Sequence, residues 1–303
     1  MRSSLDAAFA YCRWLTGRSG SHFSSSFLLL PPDRRRAMEA VYAFCRAMDD
    51  IVDREDAVAQ EAQRELDAWR RELEACEAGF PAHPIAVALA EIRKRYGIPM
   101  DLFRKLITGV EMDLHRRRYA TFEELKVYCE HVASVVGLIS VRVFGCRHPD
   151  ADRYATALGI ALQLTNILRD LKIDAERDRV YLPQEDLSSF GVSESQLEKW
   201  GREAPVILSL PKDDQSRFQA LMDFQFQRAR QHFRDAAQAL RSSGEGRKLL
   251  PARIMGEVYA RLLRRIQDSG CDVFSRRIRV SRPEQSWIAV KCLITVHPEP
   301  VEG

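Results

Sequence analysis

Apolar residues recur along this chain every three or four positions and hardly anywhere every two, a pattern that predicts helices and no sheet. Residues 4–16 show it first (Leu5, Ala8, Phe9, Cys12, Leu15) and stop at Gly17. A polar turn follows. Pro31, Pro32 and Asp33 then launch a long helix, with Asp33 placed to cap its N-terminus. Further helical segments are expected over about 59–78, 85–95, 99–116, 121–145 and 151–175, with Gly, Pro and basic turns between them. Thr121 and Glu124 have capping-box spacing ahead of one of them. After Pro183 an irregular stretch with one short helix leads to an amphipathic helix over about 213–242 and a core-type helix over about 251–268. No internal repeat or low-complexity linker interrupts this, so residues 1–270 read as one domain. From Cys271 the chain changes character. Four arginines fall within 276–282, apolar residues follow, and the end is Pro-rich, which makes 271–303 a basic, partly flexible C-terminal extension.

Two stretches break the apolar rule. In the run 163–183 the polar residues Gln163, Asn166, Asp170 and Asp174 point within about 80° of one another on a helix. The other faces carry Leu162, Ile167, Leu168 and Leu171. An amide and two carboxylates along an otherwise apolar helix are costly to bury without a partner. A hard divalent cation is such a partner, because Mg²⁺ takes oxygen ligands from a few carboxylates and from substrate phosphates. The second stretch supplies a matching face. Tyr42, Arg46, Asp49 and Asp53 lie within about 60° of one another, with Asp50 completing an Asp-Asp-x-x-Asp spacing. Two acidic helix faces across a bundle cavity form a metal cage. Metal and carboxylates together point to a substrate with phosphates, for which Arg46, Arg169, Lys172, Arg177, Arg179 and the run Arg116–Arg118 are candidate partners. Tyr42, Tyr128, Tyr181 and Tyr259 are candidates for the cavity lining, with the small residues Ala133, Gly137, Ala157 and Gly159.

Composition narrows the class rather than changing it. With 303 residues the chain can bury a sizeable core. A net charge of +3 does not suggest nucleic acid, and no run of 18 apolar residues offers a membrane span. The N-terminus lacks the pattern of a signal peptide. Seven cysteines are scattered without CxxC spacing and read as core residues in a reducing compartment. Together these describe a soluble intracellular helical protein.

The segments 42–53, 109–114, 128–145 and 158–187 resemble the squalene and phytoene synthases, and the likeness runs from about residue 5 to 290. The runs 31–46 and 174–192 look most like the bacterial hopanoid-pathway branch. The resemblance implies an all-α, single-domain prenyl-synthase (isoprenoid synthase) bundle with a central cavity. It implies that two farnesyl diphosphates condense head to head to presqualene diphosphate and pyrophosphate, with two or three Mg²⁺ and without NADPH. By the same resemblance Asp49, Asp53, Asp170 and Asp174 organise the metals with Asn166, and Gln163 lines the cavity beside them. Tyr42, Arg46, Tyr128, Arg169, Tyr181 and Tyr259 contact diphosphate or steer proton loss. One position departs from the family pattern: His22 stands where a small hydroxyl residue precedes Phe23. The implied setting is cytoplasmic, peripheral to the inner face of the membrane through the basic tail, beside later hopanoid-pathway enzymes. The competing expectations are squalene or dehydrosqualene synthesis, phytoene synthesis from geranylgeranyl diphosphate, a class I terpene cyclase, and an inactive relative serving as an assembly factor.

Overall fold

The computed structural model describes residues 2–18, 27–54, 59–203 and 207–295, so His22 and its neighbours lie outside the described residues. The helices are α1 (Arg2–Arg18), α2 (Pro32–Val52), α3 (Ala59–Ala78), α4 (Pro84–Tyr96) and α5 (Met100–His115). Next come α6 (Phe122–Cys129) and α7 (Val135–Val143), joined by a π-helical turn at Glu130–Ser134. The second half holds α8 (Pro149–Arg169), α9 (Leu171–Glu176), α10 (Gln184–Ser189), α11 (Glu194–Glu203), α12 (Lys212–Ser243), α13 (Leu250–Asp268) and α14 (Arg282–Ile294). No strand occurs among the described residues, in agreement with the all-α expectation; a single parallel bridge pairs Arg118 with Val180.

Local chemistry explains most boundaries. In α2 the buried residues Ala37, Val41, Phe44, Met48 and Ile51 repeat at four and three, the spacing of one helical face. The helix begins two residues earlier than expected, with Pro32 in its first turn and Pro31 at the cap. Asp33 therefore does not cap it; its carboxylate pairs with Arg95 instead. Thr121 accepts from the Glu124 amide at 3.3 Å and Glu124 reaches back to the Ala120 amide at 3.1 Å, a capping box as expected. α4 ends on Gly97 in the left-handed region (φ 64°), where a side chain would be strained. Two expected features differ. The stretch after Pro183 holds two short helices, α10 and α11, rather than one. The tail also carries α14, which the basic and Pro-rich composition concealed.

The buried side chains form two clusters. One gathers α1–α5 and α7; the other gathers α6, residues 180–200, α12 and α13, together with Cys271, Val273, Phe274, Ile278 and Val280. α8 is the axis shared by both, with Tyr154, Ala155 and Leu158 in the first cluster and Ile160, Leu164, Ile167 and Leu168 in the second. All seven cysteines are free, six of them buried.

Close helix contact accounts for two small residues. A Cβ on Gly159 would stand 2.6 Å from the Ser134 Cα, on the backbone of the π-helical turn, and one on Gly137 would stand 2.9 Å from the Ala155 carbonyl oxygen. Neither obstacle is a flexible side chain. Gly159→Ala is expected to cost more than about 2 kcal/mol, read as a lower denaturant midpoint at unchanged slope. An unchanged midpoint would mean that the two helices can separate at no cost.

Candidate active site

α2 and α8 bring the two acidic faces to one end of the bundle. The polar stripe on α8 does not continue on one straight helix, as its spacing suggested. The helix ends at Arg169, and Asp170 leaves α-geometry (φ −102°, ψ 16°) before α9 starts. Hydrogen bonds from the Asp170 amide to the Asn166 carbonyl and from the Asp174 amide to the Asp170 carbonyl, both 2.9 Å, still span the break. The four-residue spacing therefore survives as a kink.

Arginines neutralise part of the acid. Asp170 accepts from Arg169 Nε at 2.8 Å and from Arg277 Nε at 3.2 Å. Asp53 accepts from Arg177 at 2.9 Å and Arg179 at 3.3 Å. Arg46 pairs with Asp50, not with the Asp49 and Asp53 whose face it shares. Two carboxyls keep an uncompensated environment. Burial pushes Asp174 up to about 8, with Asp170 adding to the rise and Arg179 opposing it. Asp49 borders the open cleft, so part of its surface meets solvent, yet the dense protein around it and then Asp53 push it up to about 7.

Asp113, on α5, is the residue that the motifs missed. It accepts hydrogen bonds from the Tyr181 hydroxyl at 2.7 Å and the Tyr128 hydroxyl at 2.9 Å. Burial holds its own carboxyl above the ordinary range, against the pull of Arg179. It is an electrostatic neighbour of Asp49 on one side and of Asp174 on the other, so it sits between the two motifs. Tyr128 and Tyr181 stack at 5.2 Å between ring centroids, and Tyr119 lies against both. Burial first, and Asp113 second, push both hydroxyls far above their usual range, so they stay protonated.

The other expected residues divide. Tyr259 is an electrostatic neighbour of Arg169, which places it beside the second motif. Gln163 is half-buried one turn ahead of Asn166, and Tyr42 is half-buried one turn ahead of Arg46. The run Arg116–Arg118 does not join the site: Arg116 pairs with Glu124, Arg117 with Asp178, and Arg118 with Asp178, Glu194 and Glu198. Lys172 pairs weakly with Glu176. Ala133, Gly137 and Gly159 line an apolar pocket beside Leu162, whereas Ala157 faces a different groove with Lys126 and His232. Arg277 was hidden in the tail, 107 positions from its partner.

The donor set suits a hard cation. Asn166 Oδ1 is buried with no hydrogen-bond partner, and the raised carboxyls of Asp49 and Asp174 ask for positive charge. Among the described residues no three acidic, histidine or cysteine side chains stand close enough to enclose an ion by themselves.

Comparison with known proteins agrees with this geometry. Residues 16–284 match the squalene/phytoene synthase family, and the chain belongs to it. It is 38% identical to the 15-cis-phytoene synthase of Synechocystis sp. over 96% of this chain and 88% of that protein. It is 40% identical to the 15-cis-phytoene synthase of Synechococcus elongatus over 92% of this chain and 90% of that one. Among solved structures, a dehydrosqualene synthase in complex with ligand superposes with a TM-score of 0.81 at 25% identity, covering 96% of this chain and 97% of that one. The squalene synthase HpnC of Alicyclobacillus acidocaldarius superposes at 0.77 with 26% identity, covering 88% and 95%. The fold is that of the isoprenoid synthases, and the family is one of prenyltransferases. No helix among the described residues is long and apolar enough to cross a membrane.

Proposed function

We propose that the protein condenses two farnesyl diphosphates head to head to presqualene diphosphate, releasing pyrophosphate. The observation that carries this reading is the buried, unpartnered Asn166 Oδ1 between arginine-held aspartates, at the end of an apolar pocket that Leu162 begins. Asp49, Asp53, Asn166, Asp170 and Asp174 would hold Mg²⁺, which supplies the Lewis acid that stabilises a departing diphosphate. Arg46, Arg169, Arg177, Arg179 and Arg277 turn from their carboxylates toward phosphate oxygens as substrate arrives, since each is already within reach of a motif aspartate. Gln163 and Tyr42 border the reacting ends, and Tyr259 steadies Arg169.

In the reaction one C–O bond breaks and leaves an allylic cation. The double bond of the second substrate attacks that cation, and loss of a proton closes the cyclopropane. Tyr128 and Tyr181 are neutral and hydrogen-bonded to a carboxylate of raised pKa. A tyrosine oxygen can accept the proton while its own passes to the Asp113 carboxylate, so the tyrosine stays neutral and the proton lost by the cation ends on Asp113. No reductant is consumed, so NADPH has no part in this step.

A second reading is favoured by the two cyanobacterial relatives: condensation of two geranylgeranyl diphosphates toward phytoene. Incubation of the purified protein with Mg²⁺ and each diphosphate, with and without NADPH, separates the readings by product mass. Presqualene diphosphate is expected from farnesyl diphosphate in both cases. Squalene formed only with NADPH would sink the one-step assignment, phytoene alone would establish the second reading, and no product would leave a non-catalytic scaffold.

A further inference from the structure

The apolar pocket ends at a wall one side chain thick. Its large lining side chains on α8 are Tyr154, Leu158 and Leu162, one helical turn apart and in line with Asn166. The cavity is about 70 Å³. A dry apolar cavity of ~150 Å³ takes a benzene, so prenyl tails enter here by moving side chains rather than by filling an existing void. Behind the wall lies a second groove of about 620 Å³ between α8, α12, α13 and α14. Tyr154 and Leu158 line both spaces. Leu158 rests on Gly256 of α13 so closely that a Cβ there would stand 3.1 Å from Leu158 Cδ1. The groove continues past Gly256 and Ala260 to Trp287 and Ile288 on α14.

We infer that Leu158, seated on Gly256, sets the length of prenyl chain the site accepts. This rests on the reading of the site as a condenser of prenyl diphosphates. From Asn166 the lining residues Leu162, Leu158 and Tyr154 are each four positions further along α8, steps of about 6 Å. Each step is comparable to one isoprene unit, so the helix face acts as a ruler. A chain that outgrows Leu158 needs new space, and the larger volume is the groove behind that side chain. Leu158 and Tyr154, the second and third steps from Asn166, therefore form the stop for a three-unit chain, and the outer groove that both also line is room for a fourth. Leu158 touches the far part of the substrate and acts on specificity, not on bond making.

The test is the ratio of kcat/KM for geranylgeranyl over farnesyl diphosphate in the wild type and in Leu158→Ala, Leu158→Val and Gly256→Ala. Leu158→Ala should raise the ratio by roughly tenfold or more, the scale of a methylene-sized change in an apolar pocket. Leu158→Val should raise it less. Gly256→Ala should lower it, because the added methyl presses Leu158 into the cavity. Where Leu158→Ala does not fold, the other two variants still move in opposite directions. The unreactive thiolo-diphosphate analogues of both substrates, scored by thermal shift, give the same comparison without turnover. Ratios unchanged across all variants in both assays overturn the wall. A wild type that turns over neither diphosphate, with analogue binding that still follows the variants, overturns the catalytic reading and leaves the wall standing.

Discussion

Asp174→Asn will make the metal-free protein more stable at pH 8 and nearly inactive. The folded-state carboxyl is raised from 3.8 to about 8 by burial and by Asp170. Between those values the native protein holds a proton that the unfolded chain has released, so stability falls as pH rises from about 4 to about 8. Asparagine removes the penalty because it carries no charge at any pH. Discounted for the partly open cleft, the gain is on the order of 3 kcal/mol at pH 8, about 5 °C in the unfolding midpoint for a chain of this size. The gain should shrink toward pH 5. Turnover should fall by roughly 10²–10³-fold, the loss of one charge-stabilising contact at a departing diphosphate. Calorimetry across pH with a steady-state assay measures both. A variant less stable than wild type at pH 8 would show that a positive partner already balances Asp174 without metal.

Asp113→Asn is expected to reduce turnover by roughly 10²-fold or more while leaving the fold intact. Asparagine keeps an acceptor for one tyrosine, so the stability cost stays near 1–2 kcal/mol, that of one imperfect buried hydrogen bond. It cannot take up a proton, however, and the relay from Tyr128 or Tyr181 stops there. Tyr128→Phe combined with Asp113→Asn should cost little more than either change alone, because both act on one path. Additive losses in the double variant would assign the two residues to separate roles.

The helices were legible because most of them are amphipathic, and α2 and α8 stood out because carboxylates interrupt an otherwise apolar period. Asp113 was not. One of two acids in the segment 109–114 of α5, beside Glu111, it looks like an ordinary exposed helix residue until Tyr128 and Tyr181 are seen to donate to it. Arg277 was masked by the basic run around it, and only the fold of 271–280 onto the second core carries it to Asp170. The run Arg116–Arg118 misled in the opposite direction. Its arginines are as basic as Arg177 and Arg179, but Asp178, Glu194 and Glu198 hold Arg118 away from the cleft. The kink at Asp170 left no sequence signal, since neither Gly nor Pro causes it.

The six buried thiols are shared between the two halves of the core, with Cys12, Cys76 and Cys146 in one cluster and Cys129, Cys271 and Cys292 in the other. Burial raises every one of them, Cys76 to about 11 and Cys12 and Cys271 to about 12. A thiol reacts as thiolate, so each stays inert until its surroundings open. The rates at which they become alkylatable thus report local unfolding of each half separately. The chain carries its own clocks, three on either side of α8, against which substrate closure could be timed.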